Sequence, residues 1–474
     1  MPKVVVVGGG IAGLACAHRL LELKAENRRL DLEIILLEKS NRVGGIIHTE
    51  KKSGFLLEKG PDAFISEKPG GLAFCKQLGI DGELIGTEES NRESYILRKG
   101  KLLSIPEGFY LTAPTRLGPF LASPILSLPG RLRAAMEFFI PASKTNVDES
   151  VGSFIRRRFG NEMLERVGQA MLAGIYAGDP ESLSLRATMG RFAELETRYG
   201  SVIRGLKTES RGKDQALWQV RGPRYSLFLT FKDGMQTLTD AVARKLRNGT
   251  LRFGFSAKTL HFDSFKKEWN LESEDGESLS ANAVCLAIPP QAAARLVAEA
   301  DPGLSGELGR IEPGDVATAY FAFEKKDIQR GFRGFGFVVP AIERRPIIAC
   351  SFASNKFAGR APEGYVLLRV FLGGVFGKKF YAMDDATLVE TIRRDVSEIL
   401  SIRARPYFSE LNRHPASMIQ YRVGHVDLVA QIRRVCGKHN GLFVTGAAYR
   451  GVGIPDCIED GRTQAEAIFR KVIA

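Results

Sequence analysis

The feature that most constrains the fold lies at the start of the chain. A β-branched run at residues 3–7, KVVVV, passes directly into a glycine cluster at residues 8–13. The following LACAHRLLELKAE carries apolar residues at helical spacing. Strand, glycine-rich turn and helix in this order are typical of a dinucleotide-binding βαβ unit. The residues expected to lie against the phosphates are Gly8, Gly9, Gly10, Ile11, Ala12 and Gly13.

The spacing of three of these glycines has a physical cause. Gly8 allows the tight turn, Gly10 lets the backbone approach a pyrophosphate, and Gly13 lets the helix pack closely on the strand. The free N–H groups and the partial positive charge of the helix N-terminus then face the phosphates. The pattern therefore predicts a dinucleotide site.

A carboxylate follows at the end of the second predicted strand. The apolar run LEIILLE at residues 32–38 ends in Glu38, 25 residues after Gly13. An acid at this strand end accepts hydrogen bonds from a ribose, usually after a gap of about 20 residues. The insertion KAENRRLD accounts for the longer gap. We expect Glu38 and Lys39 to lie in the cofactor site.

The next segment, Arg42-Val43-Gly44-Gly45, resembles the RxGG segment of FAD-binding oxidoreductases of the amine-oxidase and desaturase type. Arg42 would meet a phosphate charge, and Gly44 and Gly45 would let the chain pass close to the ribityl and pyrophosphate groups. The resemblance implies FAD rather than a nicotinamide cofactor. The alternative is an ordinary glycine turn with a solvated arginine.

The C-terminal region supplies a second cofactor segment. Residues 441–446, GLFVTG, predict a short strand, and a glycine-rich loop then leads into a helix that begins at about Pro455 or Asp456. The N-terminus of such a helix stabilises the negative charge on a reduced isoalloxazine ring. The alternative is a surface helix. The flavin contacts expected here are Gly446, Gly453, Ile454 and Pro455.

The middle of the chain predicts two groups of strands. Residues 251–288 alternate in polarity around Asp275-Gly276, which indicates antiparallel strands joined by a turn. We expect the chain to revisit the FAD domain here, with Ala257 at the cofactor. Four strand-like runs within residues 315–373 predict a mostly antiparallel sheet that forms the floor of a substrate cavity.

A helix is predicted over residues 384–404, capped by Asp384 or Asp385. Together these segments predict an α/β protein with a Rossmann-like FAD-binding domain, a substrate domain built on a mixed sheet, and a helical subdomain. The FAD-binding domain is predicted to combine residues 1–75, 230–295 and 425–474. The substrate domain is predicted to combine residues 86–100, 205–228 and 300–424, and the helical subdomain residues 101–204.

Residues 104–143 form a proline-rich apolar stretch. Six prolines interrupt it, residues 117–130 carry no charge, and Arg116, Arg131 and Arg133 flank the apolar part. The prolines exclude one straight helix that spans a bilayer. Two interpretations stay open: short helices over an apolar internal cleft, or an interfacial patch with basic edges that contacts a membrane.

Composition narrows the classes of function. The 474 residues suffice for about three domains. The six cysteines stand at least 21 residues apart and the six histidines are scattered. No disulfide framework, metal site or Ser/His/Asp arrangement is therefore indicated. The N-terminus lacks the pattern of an export signal, so we expect a cytoplasmic protein with free thiols.

The net charge of +13 favours acidic partners. The basic residues occur in short groups without a zinc-finger, RNA-recognition or basic-zipper pattern, so we expect no nucleic-acid partner.

Several longer segments carry a more specific resemblance. They are residues 172–180, LAGIYAGDP, with the SLSL that follows, residues 134–144, AAMEFFIPASK, residues 334–338, GFGFV, residues 420–425, QYRVGH, and residues 451–458, GVGIPDCI. On these segments the sequence resembles the oxygen-dependent protoporphyrinogen oxidase family over nearly its whole length. It is most similar to the bacterial branch, which includes enzymes that oxidise coproporphyrinogen III.

The resemblance implies a porphyrinogen oxidase of heme biosynthesis. Six electrons leave the tetrapyrrole in three two-electron steps, hydride passes to FAD, and dioxygen reoxidises the flavin with release of hydrogen peroxide. No catalytic side chain is implied, because the flavin performs the chemistry. The implied partners are the tetrapyrrole and dioxygen, with peripheral contact at the inner face of the cell membrane and handover to a chelatase as further expectations.

The resemblance also implies site residues. Gly174 would lie at the cavity wall, where its carbonyl accepts pyrrole N–H donors, and Lys68 would meet a propionate. The turn Gly60-Pro61-Asp62 would contact the flavin. His414 stands where some relatives carry an aromatic residue, so the sequence departs from the family's pattern there. The alternatives are a plain glycine at a helix break and a solvated surface lysine.

The positive charge slightly favours the tetra-acid coproporphyrinogen III over protoporphyrinogen IX, and both substrates stay open. Two other functions also stay open. One is an amine oxidase or carotenoid desaturase on the same scaffold. The other is a catalytically silent flavin- or heme-binding protein at a membrane surface.

Overall fold

The computed structural model describes residues 1–27, 31–88, 93–143, 145, 147–211, 227–246, 249–328 and 333–473. Lys144 of the AAMEFFIPASK segment and residues 212–226 of the predicted substrate domain lie outside these ranges. The described α-helices are α1 (Ile11–Glu26), α2 (Pro69–Leu78), α3 (Leu117–Ala122), α4 (Leu128–Ala135), α5 (Val151–Phe159), α6 (Asn161–Met163), α7 (Gln169–Tyr176), α8 (Leu185–Tyr199), α9 (Val202–Arg211), α10 (Gln236–Lys245), α11 (Pro290–Val297), α12 (Pro302–Gly309), α13 (Ala353–Lys356), α14 (Gly374–Tyr381), α15 (Asp385–Leu400), α16 (His425–Cys436) and α17 (Ile454–Ile473).

The described strands are β1 (Lys3–Val7), β2 (Glu33–Glu38), β3 (Thr49–Lys52), β4 (Phe55–Glu58), β5 (Phe64–Ile65), β6 (Leu84–Gly86), β7 (Ser94–Arg98), β8 (Lys101–Ser104), β9 (Phe109–Tyr110), β10 (Ala113–Pro114), β11 (Phe228–Phe231), β12 (Leu251–Phe253), β13 (Ala257–Asp263), β14 (Glu268–Ser273), β15 (Ser278–Ala281), β16 (Ala283–Leu286), β17 (Pro313–Glu324), β18 (Gly336–Val338), β19 (Ala349–Phe352), β20 (Tyr365–Gly373), β21 (Phe408–Ile419) and β22 (Leu442–Val444). Short 3-10 turns span Asp81–Glu83, Met136–Phe139, Lys325–Asp327 and Ala341–Glu343, and one π turn spans Leu164–Gly168.

The N-terminal strand is the centre of a parallel sheet. The order is β12, β2, β1, β16, β22, and every neighbouring pair is parallel. Val4 and Val6 of β1 pack with α1, α10 and α17, whereas Val5 and Val7 pack with the layer that contains β13–β15 and α11. A strand buried on both faces must be apolar throughout, which is why KVVVV suits this position.

A second, mixed sheet has seven strands in the order β21, β17, β20, β19, β18, β7, β8. All neighbours are antiparallel except β18 and β7. One face packs on α15, which Asp384 caps by accepting a hydrogen bond from the Thr387 N–H at 3.0 Å. The mostly antiparallel sheet and the capped helix agree with the sequence predictions.

The predicted domain borders stay predictions, and several of them fall inside elements of the structure. The β7–β8 hairpin continues to Ser104, past the border at residue 100, and α9 runs across the border at residue 204. A hairpin and a helix are each one hydrogen-bonded unit. A domain border that cuts through either of them therefore does not follow the backbone pairing.

The proline-rich stretch 104–143 folds into short elements. It contains the β9–β10 hairpin, α3, α4 and a 3-10 turn, and its buried side chains share one core with α5, α7, α8 and α9. Its prolines lie in the first turn of α3 or α4, at the end of β10 or between elements, where their missing N–H costs no helix hydrogen bond. In the part of the chain that the structure describes, no helix is both long and apolar enough to cross a membrane.

A buried ion pair stabilises the packing of stretch 104–143 against the neighbouring helices. Arg158 Nε donates to Glu137 Oε1 at 2.8 Å, and neither side chain is exposed. Arg158 also donates to the Ile140 carbonyl at 2.8 Å and the Gly200 carbonyl at 3.1 Å. Glu137 in turn accepts from the Val202 N–H at 2.9 Å. The pair therefore joins the backbone segments around Glu137, Arg158 and Gly200.

Replacing Arg158 by methionine will leave Glu137 as a buried charge without a counter-ion. We expect Arg158→Met to lower the free energy of unfolding by about 3–5 kcal/mol. Urea denaturation followed by circular dichroism measures this change. The matched control is Arg156→Met, because Arg156 pairs with Glu181 at the surface and should contribute less than about 1 kcal/mol. Equal effects of the two variants would contradict a stabilising role for the buried pair.

Candidate active site

The glycine-rich loop between β1 and α1 forms an open cradle. Gly8 has φ +111°, and a Cβ on Gly13 would collide with the Gly8 carbonyl. At Gly10, no atom of the described residues lies within 4 Å of the position that a Cβ would take. Ile11 and Ala12 begin α1 and are buried. The N-terminus of α1 is therefore open to a ligand on the side of Gly10.

Glu38 ends β2 directly beside this loop. Its Oε2 accepts the Gly9 N–H at 2.8 Å, and its Oε1 accepts from the Ser40 N–H at 2.9 Å and the Ser40 hydroxyl at 2.8 Å. A carboxylate has about four lone-pair sites, so Oε2 can still accept a ribose hydroxyl. Lys39 is exposed at the strand end. Ala257 begins β13 and follows β12, which pairs with β2 at Glu38.

The RxGG turn lies against the same loop. The Gly44 N–H donates to the Gly9 carbonyl at 2.8 Å, and both Gly44 and Gly45 have positive φ, +105° and +57°. The Arg42 guanidinium donates to the carbonyls of Gly45 at 2.7 Å and Ile47 at 3.2 Å. Arg42 therefore shapes the turn in this structure, and its contact with a phosphate stays a prediction.

The turn Gly60-Pro61-Asp62 links the two large sheets. A Cβ on Gly60 would collide with the Ile46 carbonyl, and Arg369 of β20 donates to the Gly60 carbonyl. Asp62 lies 3.0 Å from Lys356 Nζ and 3.6 Å from Arg369 Nη1. Burial alone would raise the pKa of Asp62, but the charges of Lys356 and Arg369 outweigh it and lower the pKa to about 2. Ion pairs of Asp62 with Lys356 and Arg369 therefore hold the turn in place.

The residue two positions before this turn is a buried acid. Glu58 accepts from the Met235 N–H and the Thr49 hydroxyl, both at 2.8 Å, and burial raises its pKa to about 7. The Tyr320 hydroxyl of β17 donates to the Glu58 carbonyl at 2.8 Å. These contacts fix β4, and with it the turn, against the seven-stranded sheet.

The C-terminal helix meets α1 at the cradle. A Cβ on Gly461 would collide with the Ala12 carbonyl, so α17 crosses the first turn of α1 in close contact. Gly446 has φ +132°, and its N–H donates to the Asp460 carboxylate at 3.1 Å. Because β1 and β22 run parallel in one sheet and are followed by α1 and α17, the N-termini of both helices lie at the carboxyl edge of that sheet. The structure thus brings both chain ends together.

Lys68 lies beside the start of α17. It precedes α2, whose Gly71 packs so closely on Pro455 that a Cβ would come within 3.0 Å of the proline ring. Lys68 Nζ is 2.6 Å from Asp456 Oδ1. The Asp456 carboxylate fills the space where Gly453 has no side chain. The predicted substrate contact therefore adjoins the predicted flavin contacts Gly453 and Pro455.

Gly174 is exposed in the last turn of α7. The nearest atom to the position of a Cβ there is Val338 Cγ1, at 4.0 Å. The helix ends where Ala177 adopts φ +49°. The Tyr176 ring lies 6.0 Å from that of Tyr421, whose hydroxyl donates to the Ala447 carbonyl, so the end of α7 lies beside the loop that leads into α17. Gly174 thus faces open space one turn from this contact.

The QYRVGH segment holds the end of α7 in place. Gln420 Nε2 donates to the Tyr176 carbonyl at 3.0 Å. The His425 ring stacks on Tyr421 at 4.4 Å, and His425 Nε2 lies 2.9 Å from the Ala448 carbonyl. His425 is thus a packing residue, as its sequence context suggests. The QYRVGH segment therefore links the end of α7 to the loop before α17, although these parts lie far apart in the sequence.

One face of the seven-stranded sheet carries buried polar atoms. Register places Thr318 of β17 directly between Phe371 of β20 and Asn412 of β21. The atoms without a hydrogen-bond partner among the described residues include Thr318 Oγ1, Arg369 Nε, Asn412 Nδ2 and His414 Nε2. Burial lowers the pKa of His414, and the nearby Arg369 charge adds to this, so its imidazole is neutral at pH 7.

Sequence reasoning missed several of these residues. It did not assign Asp456 as the partner of Lys68, although Asp456 stands in the quoted GVGIPDCI segment. It also missed Lys356 and Arg369, which hold Asp62. A signal for Arg369 was present, because an arginine inside the apolar run YVLLRVFLGG must have a buried partner. The polar row Thr318 and Asn412 becomes visible only when β17 and β21 are paired.

This arrangement fits a dinucleotide. Open space above Gly10, acceptor capacity on Glu38 and the N-termini of α1 and α17 provide the phosphate, ribose and ring contacts that such a cofactor needs. A family model described as flavin containing amine oxidoreductase matches residues 11–469. The chain belongs to this family. The membership confirms FAD as the cofactor and confirms the predicted fold class.

Individual relatives cover almost the whole chain. A coproporphyrinogen III oxidase of Bacillus subtilis strain 168 is 35% identical, with 97% of this chain and 96% of the relative aligned. A chloroplastic protoporphyrinogen oxidase 1 of Spinacia oleracea is 29% identical over 98% of this chain and 83% of the relative. A solved structure from Exiguobacterium sp. 255-15, described as a candidate protoporphyrinogen oxidase, superposes with a TM-score of 0.86 at 27% identity, covering 100% of this chain and 99% of that one.

The open position at Gly10 gives a direct test of the cradle. In Gly10→Leu the new Cβ has no atom of the described residues within 4 Å, so we expect the fold to be retained while the side chain fills the pyrophosphate space. The flavin absorbance of the purified variant should fall to background, and its melting temperature should equal that of wild-type apoprotein. The control is Gly306→Leu in α12, which also has open space and should stay yellow. A yellow Gly10→Leu protein would place the pyrophosphate elsewhere.

Proposed function

We propose that this protein is an FAD- and O2-dependent porphyrinogen oxidase of heme biosynthesis. The observation that carries the proposal is the similarity over nearly the full length to relatives named coproporphyrinogen III oxidase and protoporphyrinogen oxidase. The geometry supports it, because Lys68 pairs with Asp456 in the first turn of α17 and the end of α7, which carries Gly174, lies beside the loop that leads into α17.

The chemistry divides between cofactor and protein. When bound, FAD accepts the hydrides of three successive two-electron oxidations and returns the electrons to dioxygen, which leaves as hydrogen peroxide. The protein orients the macrocycle. The Gly174 carbonyl is one of the last four of α7, which a helix leaves without an intrahelical partner, so it can accept pyrrole N–H donors. Lys68 binds a propionate, and the N–H groups at the start of α17 stabilise negative charge.

The buried face of the seven-stranded sheet forms the cavity floor in this proposal. Its polar atoms on Thr318, Asn412 and His414 share this face with Phe371 and with Arg369, which donates to the Gly60 carbonyl. A glycine at 174 is required because a side chain there would fill the space between α7 and this floor. The contacts assigned to the individual cofactor and substrate residues are part of the proposal.

We propose coproporphyrinogen III as the preferred substrate and protoporphyrinogen IX as the second. Coproporphyrinogen carries four propionates and protoporphyrinogen two, so the net charge of +13 and the exposed ammonium of Lys68 favour the tetra-acid. The higher identity to the bacterial coproporphyrinogen III oxidase than to the spinach protoporphyrinogen oxidase supports the same order.

Purified protein should convert both porphyrinogens to fluorescent porphyrins in air, with the larger kcat/KM for coproporphyrinogen III. Gly174→Leu should lower kcat/KM about 100-fold, because a displaced macrocycle loses the geometry for hydride transfer, while bound flavin stays at the wild-type level. Gly306→Leu serves as the control with full activity. Turnover of an amine but no porphyrinogen would contradict the proposal. Failure of a porphyrinogen to bleach the flavin without air would instead indicate a silent flavoprotein.

We further propose that the protein works in the cytoplasm and contacts the inner face of the membrane peripherally. Four apolar side chains at spacings of four, four and three residues form an exposed stripe on α4 and the turn after it. They are Leu128, Leu132, Met136 and Phe139. Such a stripe with Arg131 beside it suits an anionic lipid surface. Handover of the product to a chelatase follows from the proposed place in heme biosynthesis and is proposed with it.

Vesicles test the membrane contact. Wild-type protein should co-sediment with vesicles that contain phosphatidylglycerol, and Phe139→Glu should reduce the bound fraction severalfold. Phe139 is 81% exposed, so the change should not affect folding. The matched control is Phe265→Glu, at an even more exposed position in the turn after β13. Equal binding of both variants would show that the stripe does not meet lipid.

A further inference from the structure

Lys68 is already bound by a carboxylate of its own chain. Its Nζ lies 2.6 Å from Oδ1 and 2.5 Å from Oδ2 of Asp456, and no carboxylate in that position was expected from the sequence. The Lys68 side chain is 48% exposed, whereas that of Asp456 is only 13% exposed. A substrate carboxylate that approaches from solvent therefore meets an ammonium that already donates to Asp456 on its buried side.

Asp456 is fixed in place by its surroundings. A Cβ on Gly451 or Gly453 would come within 2.7 or 2.8 Å of its carboxylate, so both glycines are needed to admit the side chain. It stands in the first turn of α17, where a negative charge is stabilised by the helix dipole. Asp456 therefore cannot follow Lys68 outward when the lysine turns toward a ligand.

The Lys68 end of the pair is held less tightly. Lys68 precedes α2 with extended backbone, and its long side chain reaches Asp456 from the exposed side. An ammonium has three donors, so Lys68 can donate to a second carboxylate while Asp456 remains nearby. Two carboxylates that share one ammonium repel each other, because only one positive charge offsets two negative ones.

We propose that Asp456 competes with the carboxylates of the tetrapyrrole for Lys68 and thereby sets how tightly the substrate and product are held. This inference rests on the proposed function. The propionates stay unchanged during oxidation, so the competition weakens binding of the porphyrinogen and the porphyrin alike. Asp456 thereby promotes release of the porphyrin. Without Asp456, the Lys68 ammonium would have no carboxylate partner in the protein and would retain the propionate of the porphyrin.

Binding of the product tests the idea without turnover. Coproporphyrin III fluorescence, titrated with oxidised wild-type holoenzyme and with Asp456→Asn, measures the dissociation constant directly. Asparagine keeps the shape of the side chain and removes its charge, so we expect the variant to bind about three- to tenfold tighter. Steady-state kinetics should show KM lowered by a similar factor and stronger inhibition by added porphyrin.

A double-mutant cycle separates this effect from other actions of Asp456. In a Lys68→Met background, Asp456→Asn should leave the dissociation constant unchanged within about twofold, because the competed group is absent. Asp233→Asn is the matched control, since Lys51 and Asp233 form a pair of the same 2.6 Å length outside the site. It should change nothing. Asp456→Ser provides a second uncharged variant if asparagine disturbs the glycine loop.

The outcomes distinguish this inference from the proposed function. If the wild-type holoenzyme neither oxidises porphyrinogens nor binds coproporphyrin III, the proposed function is wrong. If it does both and Asp456→Asn binds porphyrin equally or more weakly, the function stands and the competition is overturned. Tighter binding that persists in the Lys68→Met background would also overturn it, because the effect would then not pass through Lys68.

Discussion

The structure depends on close contact between the first and the last helix of the chain. Gly461 of α17 lies where any side chain would collide with the Ala12 carbonyl of α1, and Gly13 lies equally close to Gly8. These contacts place two helix N-termini on the same side of the parallel sheet, where their partial positive charges act together. FAD, which carries a pyrophosphate at its centre and an electron-accepting ring at one end, matches that arrangement. The rest of the molecule is arranged around this pair.

Charge connects the cofactor half to the substrate half. Asp62, in the turn that follows β4, is held by Lys356 and Arg369 from the seven-stranded sheet, and its pKa of about 2 keeps it ionised. Tyr320 adds hydrogen bonds to the backbone of Glu58. Because this turn would lie beside the flavin ring, the same interactions would set the distance between the ring and the polar sheet face. The turn and the seven-stranded sheet are therefore tied together by ion pairs and hydrogen bonds.

Local patterns were enough for much of the fold. The run KVVVV, the glycines that follow it and Glu38 lie within a single βαβ unit, so their geometry depends on short-range pairing and was predictable. The helix capped by Asp384 was predictable for the same reason. The pairing of Lys68 with Asp456 was not, because it joins residues 388 positions apart through the packing of Gly71 on Pro455. The partners of Asp62 come from β20 and α13, and no periodicity links them to residue 62.

The sequence by itself determined a dinucleotide fold, an FAD cofactor and a resemblance to porphyrinogen oxidases, because glycine spacing and strand polarity are encoded in consecutive residues. Only the tertiary structure decided which charges meet. It showed that Arg42 holds its own turn, that Lys68 is bound by Asp456, and that polar atoms of β17 and β21 share one buried face. Coulombic and hydrogen-bond energies depend on distances of a few ångström across the fold, and a linear pattern contains no such distances.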